Sequence, residues 1–186
     1  LDAHPNVEIR AFNPLSRNSL AIASYAFDFK RVNRRMHNKA MIADGALAII
    51  GGRNIADEYY PIGDHSEFAD FDLFVAGTPV EGLSEAFDLF WNDRWSVPLA
   101  ALEEGDETPL RQALVEFQAN AAREEVEIYD RAINSVYLAQ LRSGAAPIYS
   151  GTAHVVVDNP EKLRNSPRTG PFVVGNTLYS LMNTAE

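Results

Sequence analysis

Within Met36-His37-Asn38-Lys39-Ala40-Met41-Ile42-Ala43-Asp44, two side chains that can act on a phosphate ester stand two positions apart. His37 offers an imidazole nucleophile or base, and Lys39 offers a fixed cation for developing negative charge. On an extended strand, residues i and i+2 share a face, so His37 and Lys39 point together while Asn38, Ala40 and Ile42 point the other way. After Asp44-Gly45 the chain turns and runs to Gly51-Gly52-Arg53-Asn54. Asn54 is expected to cap a helix, with Asp57 near its third position, and the free N–H groups and partial positive charge of a helix N-terminus suit a phosphate. Gly51 and Gly52 are read as backbone devices that allow a close approach. A nucleophile or base, a cation, amide donors and a dipole together make a set for handling phosphate. No cofactor or metal is part of it.

The elements that must position this set follow from local pattern. Val7 to Phe12 alternates between Pro5-Asn6 and Asn13-Pro14 and predicts a strand. Met36 to Ala43 and Ala46 to Ile50 predict a hairpin, with Asp44-Gly45 as a two-residue type I′ turn. Asp44 is thereby expected to shape the turn more than the chemistry. Phe71 to Ala76 predicts a strand, and Val80 to Trp95 an amphipathic helix with Leu83, Phe87, Phe90 and Trp91 on its apolar side. Residues 98–109, which include Glu103-Glu104-Gly105-Asp106-Glu107, read as an acidic linker. A long helix is expected from Leu110 to Leu141, then a strand over Ala153 to Val157 and a last helix around Leu178, Leu181 and Met182. The fold class is α/β, or mixed α+β, with a sheet flanked by helices.

Composition narrows the partners. Sixteen Lys and Arg against 26 Asp and Glu leave a net charge of −10, and there is no Cys. That charge disfavours a chain that coats nucleic acid, while the missing thiols exclude disulfides and thiolate metal sites. A basic tract, Lys30-Arg31, Arg34-Arg35 and Lys39, is set against that acidity; it reads as a solvated loop or as an attraction for phospholipid head groups. The stretch Asp64-His65-Ser66-Glu67 with Asp70 and Asp72 matches no metal-loop spacing. No apolar run reaches the roughly 20 residues that span a bilayer.

The spacing of His37, Lys39, Asp44, Gly51 and Asn54 resembles the signature of the phospholipase D superfamily: His, one residue, Lys, four residues, Asp, six residues, Gly, a small residue, one residue, Asn. Gly52 stands where that family usually carries Ser or Thr, so a hydroxyl contact is lost. Asn33 to Lys39, Gly51 to Tyr59 and Phe68 to Val75 resemble in particular the bacterial cardiolipin synthase branch. The resemblance implies that one His forms a phosphohistidine while a second His, from a second copy of the motif, protonates the leaving alcohol. Lys39, Gly52 and Asn54 would hold the phosphate. Asp70, where the family often carries an acidic partner, would fix the imidazole tautomer.

Only His37 among the four His is followed at the second position by Lys, so one half of such a site is present. The expected organisation is a phospholipase D-like portion over 1–97, the linker over 98–109, and a helical and loop segment over 110–186 that leads into a truncated second half. On this reading the chain is one incomplete half of a pseudo-twofold fold, inactive alone. It would be a piece of a phosphatidyltransferase acting on phosphatidylglycerol or a similar phospholipid, peripheral to the cytoplasmic membrane, its second half supplied in cis or by homodimerisation. The alternatives are a homodimeric nuclease or phosphodiesterase of the same superfamily, and a non-catalytic scaffold.

Overall fold

The computed structural model describes residues 4–14, 33–55, 59, 70–102, 107–121, 130–164 and 172–184. The chain divides into two compact units, one of Leu1–Ile9 with Pro98–Thr152 and one of Arg10–Val97 with Ala153–Glu186. The architecture is mixed α/β, with two antiparallel sheets flanked by helices, as the element pattern predicts.

The second unit holds strands β1 (Arg10–Phe12), β2 (Ala40–Ala43), β3 (Leu47–Gly51), β4 (Asp72–Ala76) and β5 (Ser96–Pro98), with helix α1 (Pro79–Trp91). Strand β1 pairs with β5, and the other three form a sheet in the order β2-β3-β4. Asp44 and Gly45 both take positive φ, 53° and 63°, and Ala46 N–H donates to Ala43 O at 3.0 Å, which closes the turn expected from Asp-Gly. The ladder, however, pairs Ala43 with Leu47 and leaves Ala46 as an extra residue. The second strand therefore runs Leu47 to Gly51, one residue later than expected. Because side chains alternate, that single step decides which of its residues face the helix.

Ala48, Ile42 and Val75 lie level across the sheet, and Ala48 is buried. Val80, at the start of α1, is fully buried. On the opposite face Met41, Ile49 and Phe74 also lie level, all exposed. Helix α1 ends at Trp91, short of the expected Trp95, because Asn92 N–H donates to Asp88 O, Asp93 N–H to Phe90 O and Ser96 N–H to Asp93 O, which turns the chain out of the helix. Phe12 packs on Phe90 and Trp95, Phe87 stacks on Trp91, and the Arg10 guanidinium lies over the Trp91 ring.

Strand β1 begins only at Arg10. The chain before it is turned by Val7 N–H donating to His4 O. No ladder forms over Ala153 to Val157, and Val155 presses against Gly82 of α1. Residues 15–32, which carry Lys30 and Arg31, lie outside the described residues. So do 56–58 and 60–69, where the helix after Asn54 and Asp64 to Glu67 were expected.

Asn13, buried and at φ 52°, ties distant segments together. Its N–H donates to Trp95 O, its side-chain amide donates to Arg34 O, and its own carbonyl accepts from Arg35. Arg34 in turn donates to Leu163 O. These two arginines of the basic tract thus serve backbone carbonyls. Helices α4 (Glu161–Arg164) and α5 (Val173–Thr184) complete this unit.

In the first unit, Leu99 N–H donates to Ile9 O, and helices α2 (Glu107–Ala121) and α3 (Val136–Ser143) follow. Helix α2 starts inside the expected linker. The expected long helix is interrupted at Asn134-Ser135, since Ser135 is extended and its hydroxyl accepts from Leu138 N–H to start α3.

Asp93 accepts from Arg164 through both carboxylate oxygens at 2.6 Å, with side chains only 8% and 13% exposed, and Arg164 lies over Trp95. Removing one partner of such a pair strands the other charge, so Arg164→Met should lower stability in urea by about 3 kcal/mol. The double variant with Asp93→Asn should recover part of that loss.

Asp158 bonds Lys162 and caps the start of α5 through Val174 N–H. Burial pushes its carboxyl up, but the bonds from Lys162 and Val174, with the Lys162 charge, outweigh that and hold it below its ordinary 3.8. Its contribution is therefore complete above that value and is lost as pH falls through the lower folded value. Asp158→Asn should flatten the acid limb of an unfolding-against-pH curve and leave its neutral-to-basic shape unchanged.

Candidate active site

His37 and Lys39 lie at the entrance to β2, before its ladder begins. The strand expected over Met36 to Ala43 forms only from Ala40, yet the two side chains meet: Lys39 Nζ lies 3.2 Å from His37 Nδ1 and donates to His37 O at 3.0 Å. An ammonium can only donate, so it meets the Nδ1 lone pair and leaves the proton of a neutral ring on Nε2. In that arrangement His37 can give a proton from Nε2. To attack phosphorus through Nε2, it needs Lys39 to turn to the phosphate and an acceptor to take Nδ1–H.

Ala40 pairs with Ile50, so one further step of the register sets Lys39 level with Gly51. A Cβ on Gly51 would overlap an Asp72 carboxylate oxygen and stand 2.6 Å from Phe71 O. A Cβ on Gly52 would overlap Asp70 Oδ1. At Gly51 the backbone of Phe71 and Asp72 leaves no room for a side chain, whereas at Gly52 the space is taken by the movable end of Asp70. Arg53 ties the Asp72 carboxylate to two backbone carbonyls. Its Nε donates to Asp72 Oδ2 at 2.6 Å, and its terminal nitrogens donate to Asp70 O and Tyr59 O. Next along the chain, the Asn54 side-chain amide donates to the Tyr59 hydroxyl at 2.9 Å.

The remaining site candidates separate. Asp44 sits at the turn, seven residues from His37, which at about 3.3 Å per extended residue places it roughly 20 Å away. Asp70 Oδ1 accepts from Phe71 N–H, and among the described residues no hydrogen bond joins Asp70 to His37. The arginine clamp escaped the sequence reading, although Arg53 stood inside the quoted motif. Its signal was an Arg between a glycine pair and Asn, with Asp70 and Asp72 flanking the start of the next strand.

No family model matches this chain, and no solved structure does. Sequence relatives do match. Cardiolipin synthase C of Escherichia coli is 33% identical over 164 residues, covering 87% of this chain and 34% of that protein. An uncharacterized protein of Helicobacter pylori is 27% identical over 94% of this chain and 35% of its own length. Cardiolipin synthase 1 of Staphylococcus aureus is 41% identical over 64 residues, 34% of this chain and 13% of that protein. The chain spans about a third of the length of the first two relatives.

The glycine requirement is testable. Gly51→Ala must press a Cβ against the Phe71 carbonyl and Asp72 Cα, backbone that cannot swing aside. Overpacking of this kind costs roughly 1–3 kcal/mol, whereas Gly52→Ser displaces only the end of the exposed Asp70 side chain. The urea midpoint should fall with Gly51→Ala and change far less with Gly52→Ser.

Proposed function

We propose that this chain, which resembles the cardiolipin synthase branch of the phospholipase D superfamily, is the first-motif portion of a phosphatidyltransferase working through a phosphohistidine. The observation that carries the reading is the contact of Lys39 Nζ with His37 Nδ1, beside a glycine pair that leads into Asn54. The names of relatives support a phospholipid as substrate, with phosphatidylglycerol or a similar lipid as the phosphatidyl donor.

In this mechanism an imidazole nitrogen attacks phosphorus. A P–N bond forms as the P–O bond to the leaving alcohol breaks, and the leaving oxygen takes a proton from the His of the second motif. An acceptor alcohol then attacks phosphorus, gives its proton back to that second His, and frees the imidazole. Two moderate barriers replace one high barrier. Lys39, released from His37, and the Asn54 amide, released from Tyr59, would neutralise the non-bridging oxygens. Gly52 lets a phosphate come close to the backbone. Asp70 would serve as the acceptor for Nδ1–H by moving off Gly52, and Asp44 acts through the turn alone. The second motif comes from elsewhere in the parent polypeptide or from a second copy, and residues 1–186 alone are inactive. Attachment is peripheral, at the cytoplasmic membrane. Among the described residues no helix is long and apolar enough to cross a bilayer.

The test is a trap of the intermediate with ³²P-labelled phosphatidylglycerol, using the product of the complete reading frame. Acid-labile, base-stable label should appear on the protein and vanish in His37→Ala, while Lys39→Met should slow labelling roughly 10²–10³-fold. Label that persists in His37→Ala would assign the nucleophile to another His and leave His37 the acid. Asp70→Asn should slow labelling without changing the pattern of products. An unchanged rate would remove Asp70 from the mechanism.

A further inference from the structure

Position 52 is a glycine and brings no hydroxyl to the site, but a hydroxyl stands close by on Tyr59. The half-buried Tyr59 accepts from the Asn54 amide nitrogen through its phenol oxygen at 2.9 Å. Its other end is fixed as well. The Tyr59 carbonyl accepts from Arg53, whose Nε is paired with Asp72 of β4 at 2.6 Å. Arg53 and Asn54 are neighbours in the chain, so the phenol is tied at both ends to the segment that follows Gly51-Gly52. One further step of the β2–β3 register sets Lys39 level with Gly51. Asn54 lies three residues on, at most about 10 Å of chain. The Lys39 and Asn54 side chains, with one phosphate between them, can fill that gap.

A phenol both accepts and donates, and accepting from Asn54 uses an oxygen lone pair and not the O–H hydrogen. A phosphate oxygen bonded to the Asn54 amide would stand roughly 2.9 Å from its nitrogen. That oxygen and the phenol oxygen are then neighbours of one atom, and a small rotation of the amide brings O–H onto the phosphate. Negative charge on the non-bridging oxygens grows as phosphorus is attacked, and a donor fixed beforehand meets it without reorganisation.

We infer that the Tyr59 hydroxyl is a further phosphate ligand of this site. It donates to a non-bridging oxygen once the Asn54 amide has turned to the phosphate, and so supplies the hydroxyl that Gly52 lacks. It keeps its proton throughout and takes no part in proton transfer. The inference rests on the phosphoryl-transfer reading above for the identity of the anion.

The test uses the product of the complete reading frame with ³²P-labelled phosphatidylglycerol and, separately, with inorganic phosphate followed by ³¹P NMR. Tyr59→Phe keeps the ring and the carbonyl that Arg53 holds, and a urea melt checks its folding. It should slow labelling roughly 10–100-fold and weaken phosphate binding about tenfold. Adding Gly52→Ser should return part of the rate. A difluorinated tyrosine at position 59, whose phenol ionises near neutral pH, separates donation from mere holding of Asn54. Its phenolate still accepts from the amide but cannot donate and repels phosphate. Labelling relative to the unsubstituted protein should therefore fall as pH rises through that ionisation. The inference is overturned if Tyr59→Phe labels at the unsubstituted rate, or if the relative rate of the fluorinated protein holds or rises with pH. Should the unsubstituted protein take no label, the phosphohistidine reading fails instead and phosphate affinity decides: equal affinity in Tyr59→Phe overturns the role of the hydroxyl, and a tenfold loss supports it. No binding of phosphate by either protein overturns both.

Discussion

The arrangement around the catalytic candidates depends on how closely β3 and β4 meet at Gly51 and Gly52. Two carboxylates, of Asp72 and Asp70, occupy what would be side-chain space. Such an approach concentrates negative charge, and Arg53 offsets it with its ion pair to Asp72 and its bonds to the carbonyls of Asp70 and Tyr59. Asn54 follows directly in the chain and bonds the Tyr59 hydroxyl, beside the Tyr59 carbonyl that Arg53 holds. A Ser or Thr hydroxyl at position 52 and an Asp70 carboxylate in its present place exclude each other.

The legible parts of the sequence were those governed by neighbours along the chain. Asp44-Gly45 announced a turn because both residues tolerate positive φ, and it formed. His37 and Lys39 meet because they stand two positions apart, although the strand expected to hold them begins only at Ala40. The period of Leu83, Phe87, Phe90 and Trp91 gave α1, while its end was misplaced: the Asn92 to Ser96 turn is fixed by hydrogen bonds that apolar spacing does not record. The extra residue Ala46 was likewise invisible, since turn chemistry and ladder register are separate constraints.

What the sequence hid was long-range. Arg34 and Arg35 stand in a basic tract, yet their guanidinium groups bond Leu163 O and Asn13 O. Asp93 with Arg164 joins residues 71 apart, and no local pattern marks either as a partner. The strand expected over Ala153 to Val157 failed in the same way. Its β-branched residues favour a strand, but a strand also needs a neighbour to pair with, and Val155 meets helix α1 at Gly82 instead.

The contacts around Asn13 and Arg34 also bear on the order in which this chain can be made. The hairpin of β2 and β3 closes within a few residues and needs nothing downstream. The bond from Arg34 to Leu163 spans 129 positions, and loop closures of that reach are slow to be rewarded in folding. A ribosome that adds roughly 5–20 residues per second delivers the partner about ten seconds after Arg34 has emerged. For that interval the hairpin stands while the tie from Arg34 to the segment around Leu163 is still unmade, so the two parts of this unit are joined last.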